Sequence, residues 1–393
     1  MELRILASAI ATLCAVGCNP SPAPAPPSPS STPSAVTLET PSVSEWHPEV
    51  VAQAEQLLAG RKEGKFAPQD LNTKGSGPAF VYLALTSDDP QIVGSALEGV
   101  EKTYNPSRET DSSNRSDSRV VEAILKGLNS SDGFVLHYAL KAAPDALGQE
   151  PNTEVTAKLV EIGNTHPAIG ARIEVLNALA TATGYEKNPD IVALFIKALK
   201  DEPAVADTAL FRRSFGFTKA EKAEEMKAAV DGLLSHEDPG VRGRAIEPAW
   251  DFHNRDNEWA LMVVAPLVKD KNPFVRSKAA HVLGLTKDPR AVSHLMALLD
   301  DKSKNTYGST YQNLLGRTET IHHDGSAWSR VDDAALYALN NITRNLPESD
   351  RFEYERIDYK NVEGDISAQV AKAKTWYQTF RKTPSTSPEK QSL

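Results

Sequence analysis

The stretch Lys271–Asp301, KNPFVRSKAAHVLGLTKDPRAVSHLMALLDD, decides the fold. In its first half, four apolar residues fall on one stripe at helical spacing, which predicts an amphipathic α-helix. Asn272 and Pro273 favour the start of this helix, because asparagine caps free N–H groups and proline suits the first turn. The stripe consists of Val275, Ala279, Val282 and Leu283.

The second half of the stretch predicts a turn and then a second helix. Gly284 is expected to end the first helix, and Lys287–Pro289 to turn the chain. Neither helix can bury its apolar stripe alone, so we expect the pair to be one unit of a stack. The stripe of the second helix consists of Val292, Leu295, Met296 and Leu299.

The proline that opens the first helix recurs along the chain at a nearly constant period. Pro167, Pro203, Pro239 and Pro273 are separated by 36, 36 and 34 residues, and Gly133 takes the equivalent place 34 residues before the first of them. A period in the thirties with two helices per unit is typical of repeat proteins. The sequence therefore predicts an all-α fold, an α-solenoid of stacked antiparallel helix pairs.

Several of these segments resemble HEAT repeats, in particular the short HEAT-like repeats of phycobilisome lyases. Pro239–Arg242 and Pro273–Arg276 show the Pro-x-Val-Arg start of that family, and Ala279-Ala280 its small residues. Asp288–Val292 resembles the family's opening of the second helix. The resemblance extends roughly over residues 87–301 and implies a HEAT-like or armadillo-type superhelix. It implies little about function, because this repeat serves many proteins.

Arg242 and Arg276 stand at equivalent positions of successive repeats. We expect them to form a ladder, in which each guanidinium reaches acidic or carbonyl groups of the neighbouring repeat. The alternative is a basic row that binds an acidic partner.

Three segments depart from the repeat. Asn105–Ser118 is polar and predicts a loop, and Phe211–Phe217 interrupts the spacing within one repeat. The longest insertion, Lys302–Trp328, delays the next helix, which is predicted over Val331–Leu339.

The solenoid is expected to occupy residues 46–382, followed by a disordered tail over residues 383–393. Its last helix is predicted over Ile366–Phe380. Trp376 and Tyr377 of this helix are expected to cover the end of the stack, because a terminal repeat has no neighbour to bury its apolar face.

The N-terminus predicts export. Residues 1–17 have the apolar run of a bacterial signal peptide, and Leu13–Cys18 resembles the lipobox of bacterial lipoproteins, in which the cysteine, here Cys18, is lipidated. That family prefers leucine where Ala15 stands, so an ordinary secretory signal is the alternative. Residues 18–45 are rich in proline and serine and predict a disordered linker after the lipidation site.

These features predict a lipid-anchored protein of the cell envelope, with a soluble secreted or periplasmic protein as the alternative. Asn19 after the lipobox cysteine resembles lipoproteins that are sent to the outer membrane. The formal net charge of -9 argues against nucleic acid as a partner, which needs a basic surface. Both cysteines, Cys14 and Cys18, precede the predicted solenoid, which therefore offers no thiol for a disulfide or a metal.

No constellation of catalytic residues stands out, so we predict no enzyme, no catalytic residue and no cofactor. The nearest approach to a metal site is His322, His323 and Asp324 in the long insertion. Adjacent loop residues rarely reach one ion together, so no metal site is predicted there.

The predicted binding residues are Tyr307, Tyr311, Arg317 and Trp328, because aromatic and arginine side chains dominate binding hot spots. The alternative is that they fold the insertion back onto the stack. We predict a scaffold or adaptor that binds a protein or peptide, is held at a membrane by its N-terminal lipid, and takes no small-molecule substrate. The alternative function is an accessory or catalytic subunit of a system that modifies a protein or cofactor, similar to the lyase and hydroxylase members of the HEAT-like proteins.

Overall fold

The computed structural model describes residues 46–62, 76–104, 118–147, 152–181, 184–213, 218, 222–322, 330–354 and 362–381. The chain divides into two units, Met1–Thr40 and Pro41–Leu393, and the described residues all lie in the second. The predicted signal peptide, Cys18, the linker and the tail lie outside the described residues, as does most of Asn105–Ser118.

The described part of the chain is an α-solenoid, as the repeats predict. Every second helix from α3 onward packs against the next one of the same set, and we call this set the odd row. The odd row comprises α3 (Pro90–Tyr104), α5 (Gly133–Leu147), α7 (Ile169–Leu179), α9 (Pro203–Arg213), α11 (Pro239–Phe252), α13 (Pro273–Thr286) and α15 (Val331–Thr343).

The first helix, α1 (Pro48–Lys62), packs against α2 (Gly77–Thr86), and the intervening helices form a second row that ends with α16 (Val362–Phe380). Between α2 and α16 stand α4 (Ser118–Leu128), α6 (Thr153–Thr165), α8 (Pro189–Ala198), α10 (Ala223–Leu233), α12 (Asn257–Trp259) and α14 (Val292–Met296). The short α12 continues as a π-helical turn, Ala260–Val264, and a 3-10 helix, Ala265–Lys269.

The odd-row helices begin where the sequence predicts, because their first N–H groups are capped locally. Asp132, Asp238 and Asn272 each accept a hydrogen bond, 2.9 Å long, from the N–H group two residues on. Such caps satisfy N–H groups that have no partner inside the helix. In α7 the proline stands two residues before the first helical residue, Ile169.

The stripe of α13 is buried as predicted, with Val275, Ala279, Val282 and Leu283 at most 1% exposed. Gly284, however, does not end this helix. It lies within α13, where a Cβ would stand 2.7 Å from the Cα atom of Ala338 on α15. The helix ends instead at Lys287, which adopts the left-handed conformation (φ 55°). Gly284 thus serves close helix packing.

The arginine ladder is present and contains a third arginine. Arg242 binds the carboxylate of Asp270 through two hydrogen bonds of 3.0 Å, and Arg276 reaches Asp301 at 2.6 Å. Arg172 repeats the arrangement with Asp201, through two bonds of 2.8 Å. Asp201 and Asp270 lie two and three residues before the next odd-row helix, and the carbonyl of Asp301 accepts from the Asp332 N–H of α15.

The other end of each guanidinium holds its own repeat. The Nη1 group of each arginine donates to the carbonyl groups of the residues six and five positions before it; for Arg242 these are His236 and Glu237. The ladder therefore fastens the start of one odd-row helix to the start of the next. This confirms the structural interpretation of Arg242 and Arg276.

The long insertion contains secondary structure that the sequence analysis did not predict. Two antiparallel strands, β1 (Gly308–Gln312) and β2 (Thr318–His322), form a hairpin between α14 and α15. Helix α15 then begins at Val331, as predicted. At Phe211–Phe217, the first three residues are the last turn of α9 and the others lie outside the described residues.

The C-terminal helix closes the stack. Trp376 of α16 stacks on Phe380 with ring centroids 4.8 Å apart and donates its indole N–H to the Asp350 carbonyl at 3.1 Å. Tyr377 is partly buried against the same core. In the described part of the chain, no helix combines the length and apolarity that crossing a membrane requires.

Candidate functional site

The hairpin is closed by a tight turn between Asn313 and Arg317. The Asn313 N–H donates to the Arg317 carbonyl, and the Asn313 side-chain oxygen accepts from the N–H groups of Leu315 and Arg317, all at 3.0 Å. Gly316 has a positive φ of 70°, which glycine adopts without strain. These bonds fix the register in which Tyr311 faces Glu319 and Ser309 faces Ile321.

The hairpin lies across the first turns of the odd-row helices, and glycines make room for it. A Cβ atom at Gly170 of α7 would stand 2.7 Å from the Asn313 Cα atom and 2.8 Å from the Gln312 carbonyl oxygen. At Gly240 of α11 a Cβ atom would overlap the Tyr307 ring, and at Gly133 of α5 it would come within 3.0 Å of the hairpin turn. One extended segment thus crosses the starts of α11, α9, α7 and α5 in succession.

The two faces of the hairpin have different environments. Ser309 is buried, and Tyr311 and Ile321 pack against the solenoid core. Thr310, Gln312, Thr318 and Thr320 are exposed. Because side chains alternate along a strand, the hairpin lies flat, with one face on the helices and the other in solvent.

The base of the hairpin is held by Tyr307. Its hydroxyl donates to the carboxylate of Asp238, the residue that caps α11, and its ring stacks on Phe274 of α13 with centroids 5.8 Å apart. Burial and the neighbouring Asp238 carboxylate raise the pKa of Tyr307 to about 12. The phenol therefore stays protonated and donates at neutral pH.

Within the hairpin, Glu319 collects two donors. The Tyr311 hydroxyl and the Asn313 side-chain amide each donate to its carboxylate at 2.6 Å. The hydrogen bond from Tyr311, together with that from Asn313 and the charges of Lys141 and His137, holds the pKa of Glu319 below its usual value despite its partial desolvation. Glu319 is therefore an anion that links β2 to β1 and to the turn.

A contact between a histidine and a carboxylate lies beneath the hairpin. The His137 Nδ1 of α5 and a Glu174 carboxylate oxygen of α7 are 2.6 Å apart, and the two side chains are only 4% and 10% exposed. The charge of Glu174 is among the influences that raise the pKa of the Tyr311 phenol, after burial and Glu319. The hairpin thus covers polar groups as well as apolar ones.

Further along the odd row, Asp207 of α9 pairs with Arg244 of α11 at 2.6 Å. Asp207 is fully buried, and burial raises the pKa of its carboxyl to about 7 although Arg244 opposes the shift. Arg244 also lies over the ring of Phe211, 4.7 Å from its centroid. Phe211 itself is 58% exposed, which is unusual for a large apolar residue.

Three half-buried titratable groups continue this surface. Burial raises the pKa of Glu247 on α11 and lowers that of Lys278 on α13. Burial, with the charge of Lys278, lowers the pKa of His281 on α13 to about 4. Charged groups of both signs therefore stand in a partly dehydrated surface, where ion pairs are stronger than in open solvent.

Helical periodicity places these residues in successive strips of one surface. The hairpin lies on the first turn of the odd-row helices, at Gly133, Gly170, Gly240 and Phe274. One turn further along the same helix face stand His137, Glu174, Asp207, Arg244 and Lys278. A further turn along stand Lys141, Asn177, Phe211, Glu247 and His281, and we call this last strip the floor.

The structure distributes the predicted binding residues along the hairpin instead of gathering them. Tyr307 lies at the base, Tyr311 in β1, and Arg317 is exposed at the turn, beside a cavity of about 430 Å³ lined also by Phe134 and Tyr138. The two tyrosine hydroxyls bind partners within the chain. Trp328 lies outside the described residues.

Of the predicted weak metal ligands, His322 is the last residue of β2, and His323 and Asp324 lie outside the described residues. Among the described residues, no group of three or more His, Cys, Asp or Glu side chains is placed to hold a metal ion.

Comparison with known proteins supports the fold. A family model of HEAT repeats matches residues 226–313. A solved structure of Kap95p with RanGDP is similar to 86% of this chain and 46% of its own chain, with 12% identity and a TM-score of 0.51. The chain thus spans less than half of that protein's length. No curated protein matches the chain.

A second solved structure, the CpcE–CpcF phycocyanin lyase complex from Nostoc sp., is similar to 79% of this chain and 96% of its own, with 11% identity. Its TM-score of 0.36 is too low to add support. The HEAT assignment therefore depends on the matched repeats and on the architecture of the two rows.

Proposed function

We propose that this HEAT-repeat α-solenoid is a non-catalytic scaffold of the bacterial cell envelope, anchored through a lipid on Cys18, that binds a protein partner on its odd row. The observation that carries the proposal is the floor and the strip beside it. This surface of the odd-row helices contains exposed Phe211, exposed Lys141 and several half-buried charged side chains. Exposed aromatic groups among partly dehydrated charges are typical of binding surfaces.

The repeat architecture supports binding more than catalysis. Helices that contact only their neighbours form an extended, fairly rigid surface, which suits a partner that makes many separate contacts. The predicted signal peptide and proline-rich linker support an anchored location, with the solenoid held away from the membrane by its linker.

The test is affinity capture from detergent-solubilised envelopes, with the native lipoprotein and a Phe211→Ser, Lys141→Glu double variant, read by mass spectrometry. We expect one or two proteins to be enriched on the native chain and lost on the variant. Met262→Ser is the matched control, because Met262 is also a highly exposed apolar residue (69%) but belongs to the second row. A partner that the double variant retains would contradict the use of the floor.

The anchor is tested separately. Cys18→Ala is expected to move the protein from the membrane fraction to the soluble fraction. A stoichiometric metal in the purified protein that His322→Ala and His323→Ala remove would contradict the non-catalytic proposal.

A further inference from the structure

We propose that the partner binds as an extended strand that pairs with the outer edge of β2 and lies over the floor, so that the hairpin becomes a three-stranded sheet. The inference rests on the proposed function and specifies its partner: a polypeptide segment in β conformation, with an acidic and an apolar side chain directed at the floor. Pairing with an open sheet edge is a general mode of peptide recognition.

The register identifies the groups that are available for pairing. Since Asn313 donates to the Arg317 carbonyl, the pairs Tyr311–Glu319 and Ser309–Ile321 exchange the inter-strand hydrogen bonds. The N–H and C=O groups of Thr318 and Thr320 then point away from β1. Within the described residues, these backbone groups have no hydrogen-bond partner.

The opposite edge of the hairpin is already occupied. The Gln312 carbonyl, which points away from β2 in the same register, lies against Gly170 of α7. The hairpin therefore offers a strand only the edge formed by β2. That edge faces away from the first turn and toward the floor, because the opposite edge lies against Gly170 in the first turn of α7.

The dimensions of strands and helices agree with a third strand. Neighbouring strands are about 4.8 Å apart, and one helical turn advances about 5.4 Å. The outer edge of β1 lies against the first turn at Gly170, so β2 is the strand nearer the second turn. The next strand would therefore lie over the third turn, which is the floor.

The floor defines the chemistry of this strand. Lys141 is exposed, and no carboxylate of the described residues forms a salt bridge with it, so it favours an acidic side chain. Phe211 favours an apolar side chain. Lys141 on α5 and Phe211 on α9 are two helix spacings apart, about 16–20 Å, which corresponds to about six residues of strand. Residues at such an even interval point to the same face.

The probe for the test is a synthetic peptide of nine residues, alternating threonine and valine, with glutamate second and leucine eighth, capped at both ends. Its affinity for the whole protein is measured by fluorescence anisotropy. Two further peptides carry N-methyl groups on the amides of one edge or of the other. Since N-methylation removes the donor, we expect one of them to lose binding and the other to retain it.

On the protein, Thr320→Pro removes the outward N–H group and leaves the bonds to β1 intact, because proline is tolerated at the open edge of a strand. We expect it to weaken binding about tenfold, from the loss of backbone pairing. Thr320→Val, which keeps the N–H group, should bind within about twofold of the native chain. Thermal unfolding and hydrogen exchange of β1 show whether the hairpin is intact in the proline variant.

Equal affinities of Thr320→Pro and Thr320→Val would overturn the proposal, and so would failure of the probe to bind at about millimolar concentration. If Thr320→Pro does not fold, the two methylated peptides decide the question without any change to the protein, and equal binding of both overturns it. The proposed function is tested separately. If a captured envelope partner is lost with Phe211→Ser but retained by Thr320→Pro, the proposed scaffold function is supported and only the proposed strand pairing is rejected.

Discussion

The arginine ladder and the hairpin both tie successive repeats together, but they do so by opposite means. In the ladder, the same kind of bond is made three times, from the Nε group of Arg172, Arg242 and Arg276 to an aspartate of the next repeat. The hairpin is a single segment that makes a different contact at each helix it crosses. It meets Gly240 with a ring, Gly170 with its backbone and Gly133 with its turn.

This difference distinguishes contacts that define the repeat architecture from contacts that are particular to this protein. A contact that recurs at equivalent positions of several units specifies how units stack, and it would serve a solenoid of any length. A contact that is made once specifies which surface is covered and which remains open. We therefore expect the ladder to determine whether the protein folds and the hairpin to determine which partner it accepts.

The largest effect is expected from Arg242→Ala. The guanidinium is 8% exposed, and its removal leaves Asp270, 11% exposed, as a carboxylate without its counterion. It also removes the donor to two carbonyl groups. Breaking a buried pair on one side costs about 3–5 kcal/mol of unfolding free energy, which urea denaturation measures.

The control for this prediction is Lys374→Ala. Lys374 and Asp300 are 2.6 Å apart, but their side chains are 45% and 80% exposed, so we expect a change below about 0.5 kcal/mol. Similar losses in both variants would show that the ladder has no special place in the architecture.

The next effect concerns a buried arginine–aspartate pair that is not part of the ladder, Asp207–Arg244. Burial raises the pKa of Asp207 from 3.8 to about 7. Between these values the folded state keeps a proton that the unfolded state releases, so stability falls as the pH rises from about 4 to 7. The Asp207→Asn variant has no carboxyl that titrates at this position. Between pH 4 and 7, its free energy of unfolding should therefore rise relative to that of the native chain by a few kcal/mol, at roughly 1.4 kcal/mol per pKa unit.

Urea denaturation at pH 4.5, 6 and 8 measures the difference. His281 changes stability with pH in the opposite direction, because its pKa is lowered to about 4. Its contribution to the free energy of unfolding is present above pH 6.5 and is lost as the pH falls through 4. Both chains contain His281, so its contribution cancels in the comparison. Parallel pH profiles for the two chains would contradict the raised pKa of Asp207.

The sequence predicted the repeated part of the molecule and missed the part that is made once. The starts of the odd-row helices were predictable, because a capping residue and a proline act locally. Arg172 was missed because it stands five residues after its proline, whereas Arg242 stands three after its own. Both occupy the same position when counted from the first helical residue, Ile169 and Pro239.

The sequence of the hairpin contains a local strand pattern, in which threonine, tyrosine and isoleucine alternate around a turn that contains Gly316. This signal is weak, because an isolated two-stranded hairpin is marginally stable in water. What stabilises it is the seat on Gly133, Gly170 and Gly240, between about 70 and 180 residues away in sequence. Nothing in a linear reading connects these glycines with the strands, or Asp207 with Arg244.

Gly170→Ala should separate the hairpin from the stack. The new Cβ atom meets the hairpin backbone, which cannot rotate away as a side chain can. Overpacking of this kind costs about 1–3 kcal/mol, and alanine returns up to about 1 kcal/mol through its helix propensity. We expect a net loss of about 1–2 kcal/mol in thermal unfolding and faster hydrogen exchange over β1 and β2.

Gly232→Ala provides the matched control, because a Cβ atom there meets nothing within 4 Å. It should stabilise the protein by about 0.5–1 kcal/mol through propensity alone. Stabilisation by both variants would show that the hairpin is not seated on α7.

The smallest effect is expected from Tyr307→Phe, which tests whether the base of the hairpin is held by one hydroxyl. Phenylalanine keeps the stack on Phe274, and Asp238 keeps its caps to Gly240 and Val241, at 2.9 and 3.0 Å. Only the hydrogen bond between the hairpin and the helix is lost. We therefore expect the free energy of unfolding to fall by about 1 kcal/mol and hydrogen exchange to become faster at the base of β1. Tyr311→Phe loses a bond inside the hairpin, to Glu319, and should leave that exchange unchanged. If both variants loosen the hairpin equally along its length, its hold on the solenoid is apolar, and the hydroxyl of Tyr307 has no anchoring role.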